Sequence, residues 1–129
     1  MIETRFIAEW ESCSHVLLAL PDESTDWDYV LPEAQEQFVR LIRTLTDNGE
    51  HCIVLCHDRA GAESLLCDCN SDLLMIVEAP YNDTWTRDYG PITVIRGERT
   101  RSLDFGFNGW GLKFAADKDN LVNLFLHDN

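Results

Sequence analysis

Residues 73–95 of the chain read LLMIVEAPYNDTWTRDYGPITVI, and the rest of the sequence is organised around this stretch. An apolar run, residues 73–77, leads into a polar and aromatic segment, residues 81–91, and a second apolar run, residues 92–95, leads out of it. Short apolar runs bounded by turn residues are typical of strands, and the uniformly apolar first run predicts a strand buried on both faces. A polar segment between two such strands is where a scaffold commonly presents its chemistry.

The segment 81–91 offers Trp85 and Asp88 as candidate binding residues. They lie three positions apart, so in a turn both side chains can project to the same side. An indole face beside a carboxylate suits a flat organic cation, which the two groups would hold by stacking and by charge-assisted hydrogen bonds. In the alternative interpretation, Trp85 fills the core while Asp88 pairs with Arg87 or caps a turn. The residues alone leave both interpretations open.

Strand-like and helix-like patterns alternate on either side of this stretch. The apolar run from Val16 to Leu20 is stopped by Pro21, which predicts a strand. Pro32 can occupy the first turn of a helix that Asn48-Gly49 ends. Four apolar residues of that helix keep the spacing i, i+3, i+4, i+7, namely Phe38, Leu41, Ile42 and Leu45.

The remaining elements are short and end at turn residues. They are a strand at Cys52–Cys56, a helix over 60–66 capped by Asp58, a hairpin of 92–95 and 102–107 around Gly97-Glu98-Arg99, and a helix over about 115–126. Strands and helices that alternate with short connections predict an α/β domain whose sheet carries a layer of helices.

Length and charge narrow the class of protein. A chain of 129 residues is about one domain long. Its 23 acidic and 10 basic residues give a net charge of −13, which argues against nucleic-acid binding and mildly favours cationic ligands. No apolar run approaches the roughly 20 residues that a membrane helix needs. Because the N-terminus lacks the features of a signal peptide, we expect a cytoplasmic protein without a membrane partner.

The five cysteines do not predict a disulfide framework, because their number is odd. Cys52 and Cys56, with Val54 between them, fall on one face of a strand, where thiols act as small apolar groups. A zinc site would have to join five residues, Cys52, Cys56, His57, Cys67 and Cys69. Their spacing fits no ordinary structural zinc site, so no metal site is predicted.

Residues 85–91, Trp-Thr-Arg-Asp-Tyr-Gly-Pro, resemble the signature of the agmatine deiminase and bacterial peptidylarginine deiminase family, part of the guanidino-group-modifying superfamily. Three more segments resemble the same family and occur in the same order. They are Glu9-Trp10-Glu11 followed by residues 15–21, Thr25-Asp26-Trp27 followed by a helix, and residues 104–111, Asp-Phe-Gly-Phe-Asn-Gly-Trp-Gly. Together the four segments span almost the whole chain.

The resemblance implies a pentein fold, in which five ββαβ modules form a pseudo-symmetric propeller. Residues 1–129 would supply the first module and the start of the second. The chain would then be the N-terminal part of a single deiminase domain, ending before the catalytic histidine and cysteine segments. On this basis we expect the isolated chain to be inactive, and we expect the full-length enzyme to be a candidate homo-oligomer.

The resemblance also implies a reaction and a set of roles. A cysteine thiolate attacks the guanidinium carbon, a histidine moves the protons, and carboxylates hold the guanidinium nitrogens, without any metal or organic cofactor. Asp88 matches the first guanidinium-binding carboxylate and is assigned as catalytic and substrate-binding. Trp85 matches the aromatic residue that packs along the substrate, and Trp110 matches a position that the resemblance places near the far end of the substrate. Arg87 is expected to be structural.

The substrate implied is a small cationic guanidino compound. Peptidylarginine-processing members carry arginines near the point where this chain has Trp110, which favours agmatine over peptidylarginine. Arg96, Arg99 and Arg101 are close in sequence and keep peptidylarginine as the alternative. Two further alternatives are a free arginine deiminase or related amidino-transferring enzyme and a catalytically dead guanidine-binding fragment.

Overall fold

A computed structural model of the chain describes residues 3–128, and these form a mixed α/β structure. The strands are β1 (Thr4–Phe6), β2 (Val16–Ala19), β3 (Cys52–Cys56), β4 (Leu74–Glu78), β5 (Ile92–Arg96) and β6 (Arg99–Leu103). The helices are α1 (Leu31–Asp47), α2 (Arg59–Leu65), α3 (Thr86–Tyr89), α4 (Gly109–Leu112) and α5 (Val122–Asp128). Short 3-10 turns occur at Asp28–Val30, Ser71–Leu73 and Asp119–Leu121.

The strands form two separate three-stranded sheets rather than the one sheet that the sequence pattern predicts. The parallel sheet has the order β2-β3-β4, with Cys52 of β3 paired to Val16 on one side and to Leu74 on the other. The antiparallel sheet has the order β1-β5-β6, so the N-terminal strand joins the predicted hairpin.

Helix α1 begins and ends as its sequence predicts. Pro32 lies in the first turn, Asn48 is the C-cap, and Gly49 follows with a φ of 86°. Ile42 is fully buried, and Phe38 and Leu45 pack against the core of the parallel sheet. Leu41, however, is 48% exposed, so its predicted place in the apolar stripe is wrong. It lies about 100° around the helix from Ile42, which already faces the sheet.

The central strand of the parallel sheet and the helix after it match the prediction. Cys52, Val54 and Cys56 all belong to one buried cluster under α1 and α2. Asp58 caps α2, because its carboxylate accepts hydrogen bonds from the backbone N–H groups of Ala60 and Gly61 at 3.1 Å.

Strand β4 differs from its prediction as a strand buried on both faces. Val77 is buried, but Met75 is 46% exposed and Leu74 and Ile76 are only partly buried. The physical reason is topological: among residues 3–128, β4 pairs only with β3 and is therefore an edge strand of this sheet.

The hairpin is confirmed, but its second strand is shifted toward the turn. Arg96 pairs with Arg99, so the turn contains only Gly97 and Glu98, and Gly97 has the φ of 62° that such two-residue turns require. Strand β6 therefore ends at Leu103. The chain beyond it turns back, and the main chain of Phe107 exchanges two hydrogen bonds with the Asn120 side chain.

The final predicted helix also begins later than expected, at Val122 instead of about residue 115, because a 3-10 turn at Asp119–Leu121 precedes it. Val122 is fully buried in a second core cluster together with Leu55, Tyr81 and Tyr89. None of the helices between residues 3 and 128 is long and apolar enough to cross a membrane.

Candidate functional site

The candidate site lies where the chain leaves the carboxyl ends of the parallel strands. Pro21 and Asp22 follow β2, His57 follows β3, and the segment 81–91 follows β4. Because parallel strands end at one edge of a sheet, these segments meet there, which is the usual position of a binding site in α/β proteins.

His57 ties these strand ends together. Its Nδ1 bonds to the Asp22 carboxylate, its Nε2 lies 3.1 Å from the Tyr81 carbonyl oxygen, and its ring stacks on the Tyr81 ring with the centroids 3.9 Å apart. Burial works against ionisation of Asp22, but hydrogen bonds from Ser24 and His57 outweigh it and lower the pKa of that carboxyl. His57 is thus a structural link here.

Asp88 lies on the single turn of α3, three residues after Trp85. Its backbone N–H donates to the Trp85 carbonyl oxygen at 2.9 Å, so the turn begins at the tryptophan. The Asp88 side chain is exposed, and within residues 3–128 it has no hydrogen-bond or ion-pair partner. Arg87 instead pairs with Glu9, with 3.5 Å between nitrogen and oxygen, so the alternative pairing of Asp88 with Arg87 is wrong and the structural interpretation of Arg87 is supported.

Trp85 does not fill the core, since it is 44% exposed. Its ring is held by a hydrogen bond to Asp83. The indole Nε1–H donates to Asp83 Oδ2 at 3.0 Å, and the backbone N–H of Thr84 donates to Asp83 Oδ1 at 2.8 Å. Asp83 itself is only 7% exposed, and this burial raises the pKa of its carboxyl.

Aromatic rings surround Trp85. Trp27 lies 6.0 Å away between ring centroids, with its own Nε1–H donating to Thr84 Oγ1 at 2.8 Å. Trp110 meets Trp85 edge to face at 6.3 Å, and it packs in the same manner against Phe107 and Phe114. The structure therefore brings together Trp85 and Trp110, two of the three residues that the sequence assigns to the substrate.

Trp110 is carried by an unusual backbone. Gly109, Trp110, Gly111 and Leu112 have consecutive φ values of 61°, 55°, 80° and 66°, so α4 is a left-handed turn. For Trp110 and Leu112 this conformation is strained, by about 1–2 kcal/mol per residue. A Cβ on Gly109 would lie 2.1 Å from the Phe114 carbonyl oxygen, so glycine is required at that position. Backbone strain of this kind concentrates at functional sites.

A reciprocal pair of hydrogen bonds joins the segment 81–91 to the turn before α5. The backbone N–H of Asn82 donates to Asp119 Oδ1 at 2.7 Å, and the backbone N–H of Asp119 donates to Asn82 Oδ1 at 3.0 Å. The Asp119 side chain also accepts from the N–H of Asp83 at 3.3 Å. Asp119 is 2% exposed, and burial raises the pKa of its carboxyl.

Two shallow depressions on the surface lie away from Trp85, Asp88 and Trp110. The larger, of about 310 Å³, is lined by His57, Glu78, Ala79, Pro80 and Phe125. The smaller, of about 100 Å³, is lined by His15, His51, Cys52, Asp72, Leu73, Leu74 and Met75. A pocket wall shared by Trp85 and Asp88 stays a prediction.

Three of the five thiols lie in the core. All five cysteines are free, and burial raises the pKa of the Cys52 and Cys69 thiols and brings that of Cys56 to about 11. In the described part of the chain, no three His, Cys, Asp or Glu side chains are grouped so that they could hold a metal ion.

The sequence pattern of the Porphyromonas-type peptidyl-arginine deiminases matches residues 5–129, nearly the whole chain. The chain belongs to this family.

Relatives and solved structures agree with that assignment. One relative is a Vibrio parahaemolyticus protein with the provisional name agmatine deiminase. It is 37% identical over 119 residues, which are 89% of this chain and 31% of that protein. The agmatine deiminase of Medicago truncatula is 29% identical over 113 residues, 81% of this chain and 29% of its own length. This member of the family thus spans about a third of the length of these relatives.

Solved structures agree with that assignment in their fold. A variant of the C. jejuni agmatine deiminase with substrate bound superposes with a TM-score of 0.90 at 28% identity, covering 98% of this chain and 37% of that one. A crystal structure named for a peptidyl-arginine deiminase superposes with a TM-score of 0.87 at 37% identity over 97% of this chain and 37% of its own. The mixed α/β fold is therefore that of agmatine deiminase structures.

Sequence reasoning missed the residues that hold the site in place. Asp83, Asp119 and Trp27 make the bonds that fix segment 81–91, yet none of them was singled out for such a role. For Asp83 a local signal exists, since an aspartate often accepts a hydrogen bond from the backbone N–H groups that follow it. For Asp119, 36 residues away from Asp83 along the chain, no local signal exists.

Proposed function

We propose that this chain supplies the guanidinium-binding part of an agmatine deiminase. The reaction consumes agmatine and water and produces N-carbamoylputrescine and ammonia. Family membership and the agmatine deiminase names of the relatives support the reaction class. The observation that carries the proposal is the exposed Asp88 carboxylate, which has no partner within residues 3–128 and lies one turn from the half-exposed face of Trp85.

The chemistry of this pair suits a guanidinium ion. A carboxylate can accept two parallel N–H bonds from the planar cation, and each hydrogen bond to a charged group contributes about 1.5–3 kcal/mol. An indole face adds about 0.5–2 kcal/mol through its attraction for a cation. Together, Asp88 and Trp85 would fix the guanidinium carbon in one place, so that a nucleophile can approach it along a defined path.

The remaining steps need a nucleophile and a proton carrier in addition to Asp88 and Trp85. In the proposed mechanism a cysteine thiolate attacks the guanidinium carbon, ammonia leaves with a proton supplied by a histidine, and water then releases the product from sulfur. Cys52, Cys56 and Cys69 are buried, and burial disfavours the thiolate that attack requires. Cys13 and Cys67 are exposed, but neither they nor the histidines of the chain lie in segments that resemble those that carry the nucleophile and the proton carrier in the family. We propose that the catalytic cysteine and histidine lie outside residues 1–129, with this chain as the N-terminal part of the deiminase domain.

The same proposal extends to architecture and location. The chain would form the first ββαβ module and the start of the second module of a pentein propeller. The full-length enzyme would act in the cytoplasm, as a candidate homo-oligomer, in the synthesis of putrescine. The close superposition on agmatine deiminase structures supports the architectural part of this proposal.

Peptidylarginine is the second candidate substrate, because the family that matches residues 5–129 is named for it. Agmatine is favoured by Trp110, which packs beside Trp85 and presents no charge to a substrate carboxylate or peptide group. Arg96, Arg99 and Arg101 are exposed on β5 and β6. Comparing the affinity of the chain for agmatine with that for a blocked arginine peptide separates the two candidates.

Replacement of Asp88 tests the proposal directly. We expect Asp88→Asn to weaken agmatine binding by at least about tenfold, since a charged acceptor is lost. Titration calorimetry on the 129-residue chain measures the affinity. Because Asp88 is exposed and without a partner in the described part of the chain, its loss should change the free energy of unfolding by less than about 0.5 kcal/mol.

The matched control is Glu98→Gln, which removes another exposed carboxylate, from the turn between β5 and β6. It should leave agmatine affinity unchanged. Equal losses in the two variants would mean that net charge, and not the Asp88 position, attracts the ligand, and the proposed role of Asp88 would then be wrong.

A further inference from the structure

We propose that Asp83 is a positioning residue of the guanidinium site, whose carboxylate fixes the indole of Trp85 in the orientation that covers the substrate cation. The inference rests on the proposed function and adds to it a residue that does not itself touch the substrate. It begins from the hydrogen bond between Trp85 Nε1 and Asp83 Oδ2, 3.0 Å long.

The two carboxylates of the segment are suited to different tasks. Both oxygens of Asp83 are engaged, one by the indole and one by the backbone N–H of Thr84, and the side chain is only 7% exposed. Asp88 is exposed and has no partner among the described residues. Asp88 is therefore open to a ligand, whereas the Asp83 side chain is buried and already engaged.

Trp85 needs such an anchor because nearly half of it faces solvent. A 44% exposed indole packed against Trp27 on one side and the edge of Trp110 on another still has freedom to turn about its side-chain bonds. A hydrogen bond at Nε1 removes that freedom before the ligand arrives. The ligand then does not have to order the ring, which increases its affinity.

Asp83 is itself held rigidly. The Tyr89 hydroxyl donates to the Asp83 carbonyl oxygen at 2.7 Å, and the Asp83 backbone N–H donates to the buried Asp119 side chain at 3.3 Å. The carboxylate that holds Trp85 therefore belongs to a residue whose backbone N–H and C=O are both hydrogen-bonded.

The chain offers a matched control for the decisive variant. Asp83→Asn keeps the shape of the side chain but replaces one of its two acceptor oxygens with an NH₂ group, so the side chain can no longer accept hydrogen bonds from both the indole N–H and the Thr84 N–H. Tyr89→Phe removes a different hydrogen bond from the same main-chain unit and leaves the indole contact intact. If Asp83→Asn does not fold, Asp83→Glu serves instead, because one added methylene moves the acceptor away from Nε1.

Two readouts on the 129-residue chain separate positioning from general stability. The first is solvent exchange of the Trp85 Nε1–H, followed by NMR. We expect it to be at least about tenfold faster in Asp83→Asn than in the unaltered chain, and unchanged in Tyr89→Phe. Exchange that is equally fast in the unaltered chain and in Asp83→Asn overturns the proposal.

The second readout is agmatine affinity in a double-mutant cycle. We expect Asp83→Asn to weaken binding about tenfold in the unaltered chain but less than about twofold when Trp85 is already phenylalanine, because the lost bond is then absent. An undiminished effect in the Trp85→Phe background, or an equal effect of Tyr89→Phe, overturns the proposal. If no binding of agmatine to the unaltered chain is detected, the proposed function fails. The exchange rate of the Trp85 Nε1–H then decides alone whether Asp83 holds the indole.

Discussion

Carboxylates of two kinds lie within and beside the segment 81–91, and their surroundings separate them. Asp88 is exposed, whereas Asp83 and Asp119 are buried and accept hydrogen bonds from backbone N–H groups. Burial raises the pKa of both buried carboxyls, since the surroundings disfavour the charged form. The exposed residue is therefore free to bind a ligand, while the buried residues organise the loop.

Replacement of Asp119 separates its hydrogen bonds from its charge. Asparagine can keep the Oδ1 atom that accepts from Asn82 and Asp83, so Asp119→Asn should be neutral or stabilising at neutral pH. Alanine leaves two backbone N–H groups without their acceptor, so Asp119→Ala should lower the free energy of unfolding by about 1–3 kcal/mol. Urea unfolding measures both, and similar losses in the two variants would contradict this account.

The same variants predict a pH dependence. Because the pKa of Asp119 is raised on folding, the folded chain binds protons more readily than the unfolded chain. The contribution of this group to stability is complete below its ordinary pKa of about 3.9 and is lost as pH rises through its raised folded value. The advantage of Asp119→Asn over the unaltered chain should therefore be larger near pH 7 than near pH 4.

At this scale the sequence could single out Trp85 and Asp88 as a candidate binding pair, a role that stays a prediction, but it could not single out the residues that support them. Trp85 and Asp88 are recognisable because they are three residues apart in a motif whose chemistry suits a cation. Asp119 looks like any other acidic residue of a chain with 23 of them, since its burial depends on the packing of a distant turn. Burial, not residue type, decides which carboxylate is structural.

Among the elements, the left-handed turn of α4 is the least expected. Four successive residues with positive φ carry Trp110 toward Trp85, and Leu112 is left 86% exposed at φ 66°. An exposed leucine in a strained conformation gains little from burial, so the strain must be offset by the packing of Trp110 against Phe107 and Phe114.

Three glycines in this segment give a graded prediction. Gly109→Ala should lower the free energy of unfolding by more than about 2 kcal/mol, because its Cβ would collide with the Phe114 carbonyl oxygen and its φ is 61°. Gly111→Ala should lower it by about 1 kcal/mol, since only its left-handed φ of 80° is unfavourable. Gly106→Ala, with open space and an ordinary φ, should change it by less than about 0.5 kcal/mol. Urea unfolding of the three variants gives the order.

Element type could be predicted from the sequence wherever a pattern was local. Helix α1, the cap of α2 and the hairpin follow from spacing and turn residues. The exposed side of β4 and the late start of α5 could not, because the first depends on strand order and the second on a 3-10 turn whose Asp119 contacts Asn82, 37 residues away along the chain. In the sequence, only Gly109 and Gly111 indicate the left-handed turn.

For the molecule as a whole, thiol reactivity reports which cysteine side chains are shielded from solvent. Cys13 and Cys67 are exposed, while Cys52, Cys56 and Cys69 are buried, and the pKa of Cys56 is raised by that burial to about 11. We expect iodoacetamide at mildly alkaline pH to modify two thiols in the folded chain and five after unfolding. Mass spectrometry counts the adducts. Rapid modification of Cys52 or Cys56 under native conditions would show that the reagent reaches the core of the parallel sheet.

The proposed division of the active site predicts an inactive chain. With agmatine as substrate, the 129 residues alone should release no ammonia above the buffer background, because the assigned groups bind the cation but supply no nucleophile. A coupled ammonia assay before and after thiol alkylation measures this. Ammonia release that alkylation abolishes would place the nucleophile among the five cysteines and would refute the assignment.

The family could be inferred from four short segments in the right order, and the match over residues 5–129 agrees with that inference. The division into two sheets could not, because nothing local in the strand from Thr4 to Phe6 indicates that it pairs with β5, about ninety residues later. Pairing of distant strands depends on the whole chain closing on itself.

The turn at Gly109–Leu112 inverts an ordinary rule of stereochemistry. At Trp110 and Leu112 the backbone occupies the region that natural amino acids avoid and that their mirror images prefer. A chemically synthesised chain with D-leucine at position 112 would therefore relax at this point. The stability gained by this change of handedness would measure how much backbone strain the packing of Trp110 offsets.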